Sequence, residues 1–181
     1  MDEKRDTGYD IRAILSGMRE EYWRGVAEIQ EEGGDTLECV TLVLGGEIYA
    51  FETVRAAEVL RIPRLIRVPG VPEVIAGIFN LRGEITAAVD IRPLLGVAGV
   101  EPGERGRLVI VKGEKFLTGI IAESVGGVEP LPLGRFGQAG AGGAHRSEFV
   151  RGEFHLDDRH ILLLDLPRLL ASPAITTAAA G

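Results

Sequence analysis

The stretch Gly77-Ile-Phe-Asn-Leu-Arg-Gly-Glu-Ile-Thr-Ala-Ala-Val-Asp-Ile-Arg-Pro-Leu-Leu-Gly96 decides the fold, because a degenerate copy of it stands near the end of the chain. From Phe149 the sequence runs Val150-Arg151-Gly152-Glu153-Phe154. After a polar insertion it continues Ile161-Leu162-Leu163-Leu164-Asp165-Leu166-Pro167-Arg168-Leu169-Leu170. Both copies read as an apolar strand, an Arg-Gly-Glu corner, a second apolar strand ending in Asp, and a short Leu-Leu turn. Upstream, Val40-Thr-Leu-Val-Leu-Gly-Gly-Glu-Ile-Tyr-Ala-Phe51 resembles Leu108-Val-Ile-Val-Lys-Gly-Glu-Lys-Phe-Leu-Thr118, two strands about a Gly-Glu turn, and an acidic residue follows in each, Glu58 or Glu123. Two degenerate copies of one unit predict two similar β lobes.

The rest of the chain agrees with a mainly β reading. After Gly34, short runs of Val, Ile, Leu, Phe and Thr are separated by Gly-Gly, Gly-Glu, Pro-Gly and Asp-Asp, the punctuation of an all-β domain. Strands are predicted near 37–44, 47–54, 59–67, 77–81, 85–90, 107–112, 115–122, 124–131, 147–155 and 160–165. Ten strands in two repeats predict two five-stranded barrels, whose closure removes exposed edges. Short helical turns are predicted at 72–76 and 92–95.

Ahead of the strands, Ile11, Ile14, Leu15, Met18, Tyr22, Val26 and Ile29 recur at helical spacing, with Asp10 placed to cap the start and Gly33-Gly34 to end it. This predicts an amphipathic helix of roughly 20 residues, about 30 Å long. Its stripe packs either on the protein's own lobes or on a partner. Residues 134–144, rich in Gly and Ala, are read as a mobile linker, since no Gly-Lys-Ser/Thr follows to make a phosphate loop. The tail from Ser172 is expected to fray. The expected organisation is therefore a helical extension at 1–36, a β domain at 37–171 and a disordered tail at 172–181. Within the β domain, lobe one covers about 37–105 and lobe two about 106–171, with an exchange of strands between them left open.

The chain of 181 residues has a formal net charge of -7, with 45% hydrophobic and 26% charged residues. Residues 1–36 contain ten acidic and five basic side chains, so most of the net charge belongs to the extension. An acidic chain lacks the basic surface from which nucleic-acid binding draws its affinity, so nucleic acid is not expected as a partner. No run approaches a membrane span, and the amino terminus has no apolar core of the kind a signal peptide needs, so a cytoplasmic location without membrane insertion is expected. The lone Cys39 lies in the apolar run Leu37-Glu-Cys-Val-Thr-Leu-Val-Leu44 and is read as a buried structural thiol.

Candidate chemistry is sparse. His155-Leu-Asp-Asp-Arg-His160 sets two histidines around two carboxylates, but Asp157-Asp158-Arg159 also reads as a polar hairpin turn with both histidines exposed at its strand ends. No metal is expected there, because nothing else in the sequence supplies converging ligands. Neither Cys39 nor any serine stands in a nucleophile-elbow pattern, and His145 lies in or beside the linker. These features point away from catalysis and toward recognition.

The polar groups of the repeated corners remain. Asn80-Leu-Arg-Gly83 lies where two strands meet, and Gly83 supplies the freedom a tight turn needs. Arg82 stands either at the rim, where its planar fork can engage a partner's carboxylate, or in an intramolecular clamp with Glu58, Glu84 or Asp90. Asp90 and Asp165 end apolar strands before helical turns and are read as caps.

In that order these residues resemble the CheW family of bacterial chemotaxis coupling proteins. The resemblance is carried by Gly46-Glu47, Ala57-Glu58-Val59-Leu60, Arg67-Val68-Pro69, Gly77-Ile78-Phe79-Asn80-Leu81-Arg82-Gly83 and Asp90-Ile91-Arg92, over about residues 37–171. It implies two SH3-like five-stranded barrels packed about an apolar seam, no catalysis and no cofactor. It also implies an adaptor that links the cytoplasmic tips of methyl-accepting chemotaxis receptors to the regulatory domain of a CheA-type histidine kinase. Glu58 and Arg82, with Val59, Gly77 and Asn80 around them, would lie at or near the receptor-binding surface; kinase contacts are not assigned to residues. Two departures are Ala87, where the family usually has Pro, and Ala56, where it usually has Val. With the helix and the Gly/Ala loop they leave room for a dedicated adaptor of a non-flagellar pathway such as surface motility. From another class, the alternative is a small metal-dependent enzyme at His155 and His160.

Overall fold

A computed structural model describes residues 9–10, 34–138 and 148–179. The expected amphipathic helix falls outside the described residues, apart from Asp10, which stands in a short strand. The strands are β1 (Tyr9–Asp10), β2 (Thr36–Leu44), β3 (Glu47–Glu52), β4 (Ala56–Arg61), β5 (Ile75–Leu81), β6 (Glu84–Val89), β7 (Arg107–Lys112), β8 (Leu117–Ala122), β9 (Ser124–Pro132), β10 (Phe136–Gly137), β11 (Val150–His155) and β12 (His160–Leu164). The described residues also contain three short α-helices, α1 (Arg92–Leu95), α2 (Leu166–Leu170) and α3 (Pro173–Ala179), and two 3-10 turns, Thr53–Arg55 and Leu133–Arg135. Among these residues no helix is long and apolar enough to cross a membrane.

The strands form two six-stranded sheets, ordered β1-β4-β7-β8-β6-β5 and β10-β11-β12-β3-β2-β9. Each sheet draws strands from both sequence halves. β6 runs parallel to β8, with Ala87 opposite Thr118, and β12 runs parallel to β3, with Ile161 opposite Ile48. The expected barrels are not found as closed ladders: among the described residues no strand pairing joins the margins of either sheet into a ring.

This topology explains why so many strands are apolar on both faces. A large cluster joins the sheets, with Leu42, Tyr49 and Phe51 from one meeting Val59, Val109 and Ile120 from the other, and Ile91, Leu95, Leu166 and Leu169 at its ends. Each sheet also has a smaller cluster on its opposite face, around Phe79, Leu81, Leu108 and Ile110 in the first and Leu131, Phe154, Ile161 and Leu163 in the second. β7 is therefore buried at four successive positions, Leu108 to Val111, as a strand covered on both sides must be.

The duplication is present in space, but its register differs from the sequence reading. Arg82-Gly83 is the two-residue turn between β5 and β6, whereas Arg151-Gly152 lies inside β11. The counterpart of Gly152 is Gly77. Both sit at a ladder irregularity, between Ile75 and Gly77 in one hairpin and between Val150 and Gly152 in the other. At both, another segment crosses too closely for a side chain. A Cβ on Gly77 would lie 2.8 Å from the Ile66 carbonyl oxygen, and one on Gly152 would lie 2.5 Å from that of Gly137. The Arg-Gly-Glu match is thus a coincidence of composition inside a true repeat.

Two further expectations are corrected. Phe136 and Gly137, read as linker, pair with Phe154 and Glu153, because Phe136 has an aromatic partner in Phe154 at a centroid distance of 5.0 Å. The tail read as frayed carries α3, whose Ile175 is buried in the joint core. Residues 139–144 of the Gly/Ala loop, and 145–147 after it, are outside the described residues.

Candidate functional site

Arg82 occupies a position that a side chain rarely takes. It has φ 51° and Gly83 has φ 96°, the paired positive values of a two-residue hairpin turn whose twist suits the strands. Left-handed backbone at a non-glycine costs about 1 kcal/mol. Two contacts hold the turn: the Asn80 Oδ1 accepts from the Gly83 N–H at 2.7 Å, and the Arg82 Nη2 donates to the Glu58 Oε2 at 2.7 Å.

Glu58 reaches this pairing through a bulge. The β4–β7 ladder shifts between Ala56 and Glu58, and the Glu58 side chain is only 7% exposed while Arg82 is 61% exposed. β4 and β5 lie far apart in strand order, yet this ion pair and the backbone bridge between Ile66 and Ile78 link them. The first sheet must therefore curl enough to bring β4 and the segment after it against β5 and its turn.

The five residues expected at a receptor surface do not share one environment. Val59 and Gly77 are buried, and Glu58 is buried behind Arg82; Asn80 and Arg82 are exposed. Val59 belongs to the joint core, and Gly77 admits the crossing segment at Ile66. Of the two readings of Arg82, the clamp to Glu58 is present, and its guanidinium still faces solvent.

The same geometry exposes an apolar face that sequence reasoning missed. Along β5 and β6 the inward residues are Phe79, Leu81, Thr86 and Ala88. The outward ones are Ile78 and Asn80, paired with Ala87 and Ile85, and Ile66 pairs with Ile78 on the other side. Ile85 is 70% exposed and Ile66 64%. No signal in the sequence marks it: alternation in Glu84-Ile-Thr-Ala-Ala-Val89 puts Ile85 in phase with Ala87 and Val89 and so reads it as core, whereas Thr86 and Ala88 are the residues turned inward. Ala87, noted above for its departure from the family pattern, lies on this face.

A second polar cluster binds the sheets together. Arg92 is buried; its Nε and Nη2 donate to Asp90 at 2.8 and 2.7 Å, its Nη1 to Glu123 at 3.1 Å and to the Val100 carbonyl. Glu123 in turn accepts from the Gly45 and Gly46 N–H groups at 2.9 and 3.3 Å. Burial works to raise the Glu123 carboxyl, but the N–H of Gly45, the Arg92 guanidinium and the N–H of Gly46 outweigh it and hold it below the usual carboxylate range. Asp165 caps α2, accepting from the Arg168 N–H at 3.1 Å. Cys39 is fully buried, and burial, with Glu52 and Glu129 nearby, pushes its thiol up to about 12. Such a thiol is a poor nucleophile at neutral pH.

Two six-stranded sheets thus share one apolar seam, and the first presents a buried carboxylate clamped by a hairpin arginine. The chain belongs to the family of CheW-like domains, whose family model matches residues 38–174. It is 26% identical to "Chemotaxis protein CheW" of Klebsiella aerogenes over 156 residues, 82% of this chain and 91% of that protein. It is also 26% identical to "Protein PilI" of Pseudomonas aeruginosa over 127 residues, covering 70% of this chain and 71% of the relative. The crystal structure of the scaffolding protein TtCheW from Thermoanaerobacter tengcongensis superposes with a TM-score of 0.69 at 25% identity, covering 77% of this chain and 95% of that one.

Proposed function

We propose that this chain is a non-enzymatic cytoplasmic adaptor that couples chemoreceptor tips to the regulatory domain of a CheA-type histidine kinase. The receptor docks on the outward face of β5 and β6 beside the Arg82–Glu58 pair. One observation carries this reading: Ile66 and Ile85 are left exposed on the hairpin whose turn presents the Arg82 guanidinium paired with Glu58. Isolated exposed apolar residues are ordinary, but an apolar strip flanked by a fixed cation suits an amphipathic helix carrying a carboxylate. The curl of the first sheet and the equivalent crossing of β10 over β11 support reading each lobe as an SH3-like barrel.

The test is titration of a purified receptor cytoplasmic fragment into the wild-type chain, Arg82→Ala and Ile85→Asp. Both substitutions are expected to weaken binding at least tenfold, and wild-type affinity in both would remove the docking face. The equal identity to Protein PilI supports a second reading, an adaptor of a related non-flagellar pathway. Receptor fragments from the two kinds of pathway, compared in the same titration, separate the readings.

A further inference from the structure

The hairpin β11–β12 brings together three donors that the receptor-adaptor reading does not use. His155 and His160 are directly opposite in the ladder, and Glu153 lies two residues before His155, hence on the same face. The His155 Nε2 is 2.9 Å from Glu153 Oε1 and the His160 Nε2 is 2.8 Å from Oε2. The two rings stack at 4.8 Å with 19° between their planes.

The sequence reading lacked a third ligand, and Glu153 supplies it from a buried position. Its side chain is 10% exposed, a costly place for a carboxylate without charge partners. Elsewhere this chain covers such carboxylates with guanidinium groups: Arg82 on Glu58, Arg92 on Glu123 and Arg159 on Glu129. Glu153 has imidazoles in that place. Arg159, in the same hairpin turn, is committed to both oxygens of Glu129 at 3.0 and 2.8 Å.

We propose that Glu153, His155 and His160 form a binding site for a late divalent transition metal ion, represented by Zn2+. Their ligating atoms all lie within 4.8 Å of one another. Metal–ligand bonds of about 2.0–2.2 Å place tetrahedral donors roughly 3.4 Å apart, so a small outward rotation of the rings admits the ion. Each imidazole gives its Nε2 lone pair to the metal and carries its proton on Nδ1 instead. Two imidazoles and one carboxylate select zinc, nickel or copper over magnesium or calcium. The donors come from paired strands and not from a loop, so their positions are fixed before the ion arrives. Both histidine side chains are at least half exposed, which leaves an entry path and room for water to complete the shell. The bound ion would pin the turn end of the hairpin.

The test is calorimetric titration of ZnCl2 into the full-length chain without a histidine tag, with melting curves alongside. One ion per chain is expected, with affinity falling at least tenfold in His155→Ala and in His160→Ala and unchanged in His145→Ala. Each histidine also covers the buried Glu153, so both variants are expected to melt below the wild type without metal, and zinc should raise the melting temperature only where both histidines are present. Absence of saturable uptake, or uptake that survives loss of both histidines, overturns the site. The readout is metal, not receptor, so it stands or falls apart from the adaptor proposal.

Discussion

Glu123 shows how a single carboxylate can hold two sheets together. It ties the Gly45-Gly46 turn of one sheet to Arg92, which follows β6 of the other. A carboxyl held below its ordinary range stabilises the fold at pH values above the unfolded pKa of about 4.3, and that contribution disappears as pH falls through the folded value. Glu123→Gln is therefore expected to lose about 1–2 kcal/mol at pH 7. The gap in melting temperature to wild type should narrow as pH falls below about 4.3 and vanish only below the folded value; a gap independent of pH would contradict this role. Arg82→Ala removes one ion-pair partner of the buried Glu58, and because Arg82 itself is exposed the expected loss is about 1–2 kcal/mol, between the surface and buried limits. Chemical denaturation measures it, and an unchanged midpoint would show the clamp to be without weight. For Cys39, a thiol reagent should react only as the chain unfolds, with kinetics that follow the loss of circular dichroism.

Among the elements, the two bulged hairpins carry the most specific demand on sequence. β5 and β11 each bend where a neighbouring segment crosses, and glycine is needed there for lack of space: at Gly152 a Cβ would meet the Phe136 ring at 2.3 Å and the Gly137 carbonyl at 2.5 Å. Gly152→Ala should displace β10 and cost about 1–3 kcal/mol, read as a lowered melting temperature. Gly134→Ala, where nothing lies within 4 Å, serves as the control and should be near neutral. Such crossings explain which parts of the fold were legible. Strand positions follow from local alternation and turn residues, and Arg107–Lys112 emerged at its predicted bounds. The equivalence of Gly77 and Gly152 depends on contacts with Ile66 and Gly137, remote in sequence, so the Arg-Gly-Glu resemblance offered a false register. Phe136 was hidden in the same way, an aromatic residue among glycines whose partner, Phe154, lies 18 positions away.

At the scale of the molecule, the exchange of strands makes each sheet a product of both halves. β4 to β8 build one sheet with β1, while β2 and β3 join β9 to β12 in the other. Neither 37–105 nor 106–171 retains a complete sheet, so each expressed alone should lack a cooperative melting transition, and mixing the two should restore one. Conversely, among the described residues the joint core runs from Val40 to Ile175, and deletion of residues 1–33 should leave cooperative unfolding intact. The site was legible in part: Asn80, Arg82 and Glu58 stand out as polar groups at a corner, whereas Val59 reads the same in sequence whether it lines a groove or a core. Glu153 and His155 share a strand face, but the burial of Glu153 and its contact with His160 arise only when β11 and β12 pair. The central claim is that this domain works by joining two partners, one of them through the corner at Arg82. The most direct measurement is a pull-down with the purified chain from host lysate supplemented with receptor cytoplasmic fragments, with Arg82→Ala alongside. Recovery of a CheA-type kinase and a receptor by the wild type, with only the receptor diminished by the substitution, is the predicted result. Recovery of neither partner by the folded wild-type chain would contradict the account.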